Sequence, residues 1–163
     1  MADSPRTMRV GQAQVSIINV GDIQGAMTGW MDEPAGGWRA TYDAQLKQKM
    51  RFPTQNILIM HPQTSVLVDA GAYDWPADSP YAIANYSPPS LLQQLAQLRV
   101  RPEDVCHVVI THAHQDHFNG MTIERDDSSE PCFRNARYYL GRADWERAEM
   151  QNALQDPRSV ESR

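Results

Sequence analysis

The sequence predicts an α/β fold, and three observations carry the prediction. Short segments rich in Val and Ile alternate with a segment whose leucines recur at helical spacing. Glycines and prolines stand at the segment ends, where the chain must turn. With 163 residues, 41% of them apolar, the chain is long enough for one globular domain over residues 1–163 with a core that needs no disulfides.

Taken in order, Met1 to Gly11 reads as a polar leader, and Ala13 to Val20 as a strand that ends at Gly21-Asp22. Gln24 to Thr54 carries Trp30, Trp38, Tyr42 and Phe52 among glycines and polar residues, which predicts a long loop with a helical piece near Tyr42 to Met50. Asn56 to Met60 and Ser65 to Val68, separated by His61-Pro62-Gln63-Thr64, predict a β-hairpin. Its second strand runs into Asp69-Ala70-Gly71, where the glycine lets the chain turn away. Residues 72–90 hold too many prolines for a helix or central strand and predict an ordered aromatic loop. Ser87 is the expected N-cap of the next helix, with Pro88 at its first position, and Leu91, Leu92, Leu95 and Leu98 recur at helical spacing, which predicts one buried face. Arg101 to Asp104 breaks that helix, and Val105 to Ile110 is a strand apolar enough for burial on both faces. Ala136 to Leu140 is one more strand, followed by Gly141 and a short helix from about Arg142 to Gln151.

The most informative stretch follows directly on Val108-Val109-Ile110. Residues 111–120 read Thr-His-Ala-His-Gln-Asp-His-Phe-Asn-Gly, with three imidazoles and one carboxylate within six positions. In an extended segment residues two apart point the same way, so His112 and His114 can present imidazoles to one ion. Zinc takes imidazole nitrogen, and its catalytic sites usually combine three protein ligands with one open position. Asp116 and His117 follow where the backbone turns, and they can address a second ion a few ångströms away; dinuclear hydrolytic sites are spaced in this manner. Asp69, which closes an earlier strand just before a glycine, is either a turn-forming aspartate or a carboxylate that orients a ligating imidazole. His61 and His107 stand alone and read as structural. Trp30, Trp38, Trp75 and Tyr81 more readily pack their loops than line a substrate pocket.

The string His112-Ala113-His114-Gln115-Asp116-His117 resembles the HxHxDH signature of the metallo-β-lactamase superfamily. Val66-Leu67-Val68-Asp69-Ala70-Gly71 is similar to that family's earlier strand-Asp-Gly motif, and Ala136 to Gly141 to the strand after the signature. Within the superfamily the texture is closest to the lactonase-like hydrolases. The resemblance implies an αββα sandwich with two zinc ions per complete site and a bridging hydroxide that attacks an ester, lactone or related bond. His112 and His114 would hold the first ion, and Asp116 and His117 the second. Asp116 would also act in catalysis by helping to orient the hydroxide, with Asp69 behind the ligands. Asn119 stands where many members have glycine. The family draws a further histidine, a bridging aspartate and a final histidine from the later half of its fold, whereas the five histidines here are His61, His107, His112, His114 and His117. Asp126, Asp127, Asp144 and Asp156 stand in no recognisable bridging context. The expectation is therefore the N-terminal half of such a hydrolase, a truncated domain holding one zinc ion or fewer well. It is expected to self-associate or to depend on its missing C-terminal half, because half a sandwich leaves an apolar sheet face open.

Composition narrows the partners to a small-molecule substrate. A net charge of −5 and scattered arginines offer nothing to a phosphate backbone, which disfavours nucleic acid and the nuclease or phosphodiesterase alternative within the same superfamily. No apolar run is long enough for a membrane span or a signal-peptide core, so a cytoplasmic location is expected. Cys106 and Cys132 are far apart and in no CxxC spacing; Cys106 reads as a small strand residue. A non-catalytic product with weak or no metal binding is the alternative from another class.

Overall fold

The computed structural model describes residues 4–26, 44, 45, 47–71, 88–125 and 128–155. Its centre is a six-stranded sheet. Strands β1 (Arg6–Val10), β2 (Ala13–Ala26), β3 (Lys49–His61) and β4 (Thr64–Val68) form an antiparallel meander, and β5 (His107–Ile110) and a last strand at Arg137–Leu140 continue it in parallel. Between these two lie a small antiparallel pair, β6 (Thr122–Arg125) and β7 (Ser128–Pro131), so the last strand is β8. The α/β class is the one expected.

One face of the sheet carries the core. Ile18, Leu58, Leu67 and Val108 are fully buried on β2, β3, β4 and β5, and helix α1 (Leu91–Gln97) lays Leu91 and Leu95 in the same cluster with Val105, Phe118 and Phe133. The helix begins where its capping chemistry is complete. Ser90 Oγ accepts the Gln93 N–H at 3.2 Å and Gln93 Oε1 accepts the Ser90 N–H at 2.9 Å, a capping box that satisfies two helix-end donors. At the other end Arg99 takes φ +60°, which lets the Val100 N–H turn back to Leu95 O at 2.9 Å. Buried Gln94 ties α1 to the sheet by donating to Asn19 O at 2.7 Å.

Several elements differ from expectation, each for a physical reason. The leader contains β1, whose residues are all exposed on an edge strand and so carry no apolar pattern. The second strand does not stop at Gly21, because a bulge between Asn19 and Gly21, with Gly21 N–H donating to Asn19 Oδ1 at 3.0 Å, lets it run on to Ala26. Of the expected loop Gln24 to Thr54, both ends are strand, Gly25 pairing with Met50 and Ala26 with Lys49; Ala44 and Gln45 are helical, and 27–43 lie outside the described residues. Trp30, Trp38, Trp75 and Tyr81 lie outside them too, as do Asp126, Asp127 and Asp156. The leucine helix starts at Leu91 behind Ser90, not behind Ser87, since Gln93 completes the box only there. Strand β5 alternates, with Val108 and Ile110 buried and His107 and Val109 half-buried, so burial is one-sided. The last helix is broken into α3 (Arg142–Trp145) and α4 (Ala148–Gln155), with α2 (Gln115–Phe118) the single turn after β5. The β6–β7 hairpin, polar and short, gave no signal. Among the described residues no helix is long and apolar enough to cross a membrane.

Candidate metal centre

Parallel pairing of β4 and β5 brings their C-terminal ends side by side, and this places the candidate site. Val68 pairs with Val109, and the Asp69 N–H donates to Val109 O at 2.8 Å, which carries Asp69 beside Thr111. Asp69 is buried and takes φ +58°, a left-handed conformation that Asp tolerates better than most residues. The turn aims its carboxylate into the loop after β5. Oδ1 accepts the Thr111 N–H at 2.8 Å, Oδ2 accepts the Thr111 hydroxyl at 2.9 Å, and Oδ2 lies 2.8 Å from His117 Nδ1.

The loop is packed tightly against the end of β4. The Ala70 N–H donates to His117 O at 2.8 Å, and the Gly120 N–H donates to Ala70 O at 2.7 Å. A Cβ on Gly71 would stand 1.6 Å from Asp116 O, so only glycine fits there. The residues of the HxHxDH string are thus held by backbone contacts as well as by side chains.

Four ligand-type side chains meet at this strand end as two pairs. His112 Nε2 and His114 Nδ1 are 3.0 Å apart, close to the roughly 3.3 Å that tetrahedral zinc with 2.0–2.1 Å bonds sets between two nitrogens. His117 Nε2 lies 3.4 Å from Asp116 Oδ2, a second pair of similar separation. The rings of His112 and His117 lie with centroids 3.9 Å apart, so the pairs adjoin. Proton placement suits ligation. A carboxylate only accepts, so His117 gives its Nδ1 proton to Asp69 and keeps the Nε2 lone pair free. Thr111, having given its one proton to Asp69, can accept at 3.1 Å from His112 Nδ1, which frees His112 Nε2. Burial, reinforced by His117 and His114, lowers the His112 pKa and favours the neutral, ligating form. These donors fit metal ions in twos; among the described residues no group of three or more His, Cys, Asp or Glu is arranged to hold one.

Residues 50–123, from β3 through the loop to the start of β6, match the family model described as metallo-beta-lactamase superfamily. The matched segment is similar to that superfamily. It contains Asp69, Gly71 and the whole HxHxDH string of that superfamily. Among solved structures, the chain is similar to a protein of Staphylococcus aureus described as a "probable metal-dependent hydrolase", with 26% identity, TM-score 0.64, and 89% of this chain covering 52% of that one. It shares its fold with the hydrolase AbOPH (19% identity, TM-score 0.65, 97% against 49%) and with the dizinc quorum-quenching lactonase AidC (17%, 0.63, 95% against 53%). The chain therefore spans about half the length of the solved structures it matches. No curated protein matches it.

Two contributors went unassigned in the sequence. Thr111 was visible only as the residue before the signature, although its hydroxyl touches Asp69, His112 and His117. Asn56 was visible only as a strand start; it is fully buried, and a buried amide must find partners. His107 and His61 lie away from the cluster, His107 Nδ1 lying 3.0 Å from Tyr139 Oη and His61 Nδ1 accepting the Gln63 N–H at 3.3 Å.

Proposed function

We propose that this chain carries part of the active site of a metal-dependent hydrolase that cleaves an ester- or lactone-type bond in a small molecule. The observation that supports this reading most is the pairing of His112 with His114 and of Asp116 with His117 at one strand end, with Asp69 and Thr111 setting imidazole protons behind them. His112 and His114 would hold one ion and Asp116 and His117 another, two zinc ions forming a complete site. Zinc supplies Lewis acidity and makes water a nucleophile at neutral pH. The chain's own residues do the rest. Asp69 holds the His117 proton on Nδ1, Thr111 holds the His112 ring, and Asp116, a quarter exposed, would help to orient the attacking water. The relative described as a probable metal-dependent hydrolase supports metal-dependent hydrolysis.

The pairing also favours a second reading, a chain that binds metal weakly and does not catalyse, because two ligands hold zinc less firmly than three. Zinc titration of the full chain, followed by assay on a γ-lactone and a p-nitrophenyl ester, separates them. Tight binding with turnover that is lost in His112→Ala and His114→Ala supports the hydrolase; weak binding without turnover supports the inert chain. A small-molecule partner, a cytoplasmic location and self-association or pairing with a further half-domain belong to the same proposal. Seven half-buried apolar side chains on the sheet face away from α1, Val15, Ile17, Ile57, Ile59, Val66, Val68 and Val109, support the last point.

A further inference from the structure

We propose that Asn56 is a positioning residue for the Asp116–His117 arm of the candidate metal centre and acts through the backbone of Gly71. The proposal rests on the metal reading above.

Asn56 lies on β3, one strand removed from the site, and is 0% exposed. Its side-chain amide spends both ends on a single residue. Nδ2 donates to Gly71 O at 2.9 Å, and the Gly71 N–H donates to Oδ1 at 3.3 Å. An amide side chain that meets both the donor and the acceptor of one residue fixes the orientation of both adjoining peptide planes. Gly71 has left the β4 ladder and lies past its end, so the Asn56 side chain takes the place of a strand neighbour there.

What Gly71 touches gives the clamp its consequence. The space where its Cβ would stand is filled by the Asp116 carbonyl, and the His117 amide nitrogen would lie 3.3 Å from that position. Its neighbour Ala70 exchanges backbone hydrogen bonds with His117 and Gly120, and Asp69 holds the His117 ring. Asp69, Ala70 and Gly71 therefore form a socket for residues 116–120. Asn56 fixes the far wall of that socket. A rotation of the Gly71 peptide would drive it into Asp116 or away from it, and would move the carboxylate and imidazole that pair at 3.4 Å. A purely structural amide would stabilise the sheet without governing those two side chains.

The test uses the full chain with Asn56→Asp, which keeps the shape and the Oδ1 acceptor but removes the donor to Gly71 O, and Asn56→Ala. The first readout needs no metal: the Nδ1 proton of His117, held by Asp69, is observed by imidazole-tuned ¹H–¹⁵N NMR. The second is zinc affinity by calorimetry. Asn56→Asp should lose or broaden the His117 proton and weaken zinc binding by about 10-fold or more, the usual scale for residues behind metal ligands. A variant that melts lower yet keeps both the His117 proton and the wild-type zinc affinity overturns the proposal. Should the wild-type chain bind no zinc, the proposed function fails, while the His117 proton still decides the clamp: its loss in Asn56→Asp supports it and its persistence overturns it. If neither variant folds, hydrogen exchange in the wild type decides. The Ala70, Gly71 and Gly120 amides should be protected together, and a Gly71 amide that exchanges as in an unfolded chain overturns the clamp.

Discussion

Replacing Asp69 by Asn changes one atom and should change the protonation pattern of the candidate metal centre. In the native site Oδ1 accepts from the Thr111 N–H, while Oδ2 faces the Thr111 hydroxyl and His117 Nδ1, each within 3 Å. Asparagine keeps the oxygen toward the Thr111 N–H and turns an NH₂ donor toward His117. Two donors then face each other unless the imidazole moves its proton to Nε2, the nitrogen that pairs with Asp116. The lost charge-assisted hydrogen bond is worth about 1.5–3 kcal/mol. For a chain of this size, at about 2–4 °C per kcal/mol, that lowers the melting temperature by roughly 3–12 °C. Zinc affinity should fall by about 10- to 100-fold, or roughly 1.4–2.8 kcal/mol. Imidazole ¹⁵N shifts report the tautomer, differential scanning calorimetry the stability, and isothermal titration the zinc. A variant with His117 still protonated on Nδ1, melting within 1 °C of wild type and binding zinc equally well would refute the role given to Asp69.

Gly71→Ala places a methyl group 1.6 Å from Asp116 O, so it should destabilise by more than the about 1–3 kcal/mol usual for overpacking, read as a lower denaturant midpoint. Cys106 is exposed, and the Ser65 hydroxyl beside it lowers its thiol pKa, whereas burial raises that of Cys132; a thiol reagent at neutral pH should modify Cys106 first and Cys132 only on unfolding. Hydrogen bonding from Arg101 lowers the Asp104 pKa to about 2, so its contribution to stability is present above the ordinary carboxylate range and is lost as pH falls through that value. Carboxyl NMR titration of Arg101→Ala should show Asp104 returning toward its ordinary pKa.

What the sequence disclosed follows from how each signal arises. The β3–β4 hairpin, β5 and the cluster after it were legible because buried strands need apolar runs and the cluster concentrates residue types that are sparse elsewhere in the chain. Edge strand β1 was hidden, since exposed Met8 and Val10 alternate with arginine and threonine and resemble a leader. The extension of β2 past Gly21 depends on a bulge that only the partner strand reveals. Asn56 and Gly71 meet across 15 positions through a contact set by the fold, and no local pattern encodes it. The two-by-two grouping of His112 with His114 and Asp116 with His117 followed from period-two geometry and the turn after it, whereas the bridge from Asp69 to Thr111 needed the parallel register of β4 and β5.

The central claim, that residues 112–117 hold metal, is tested most directly by counting zinc equivalents bound to the purified full chain and to its His112→Ala and His114→Ala variants. The account predicts about one equivalent held by the wild type and clearly weaker binding in both variants. A wild-type chain that binds none, or variants that bind zinc as well as wild type, would contradict it.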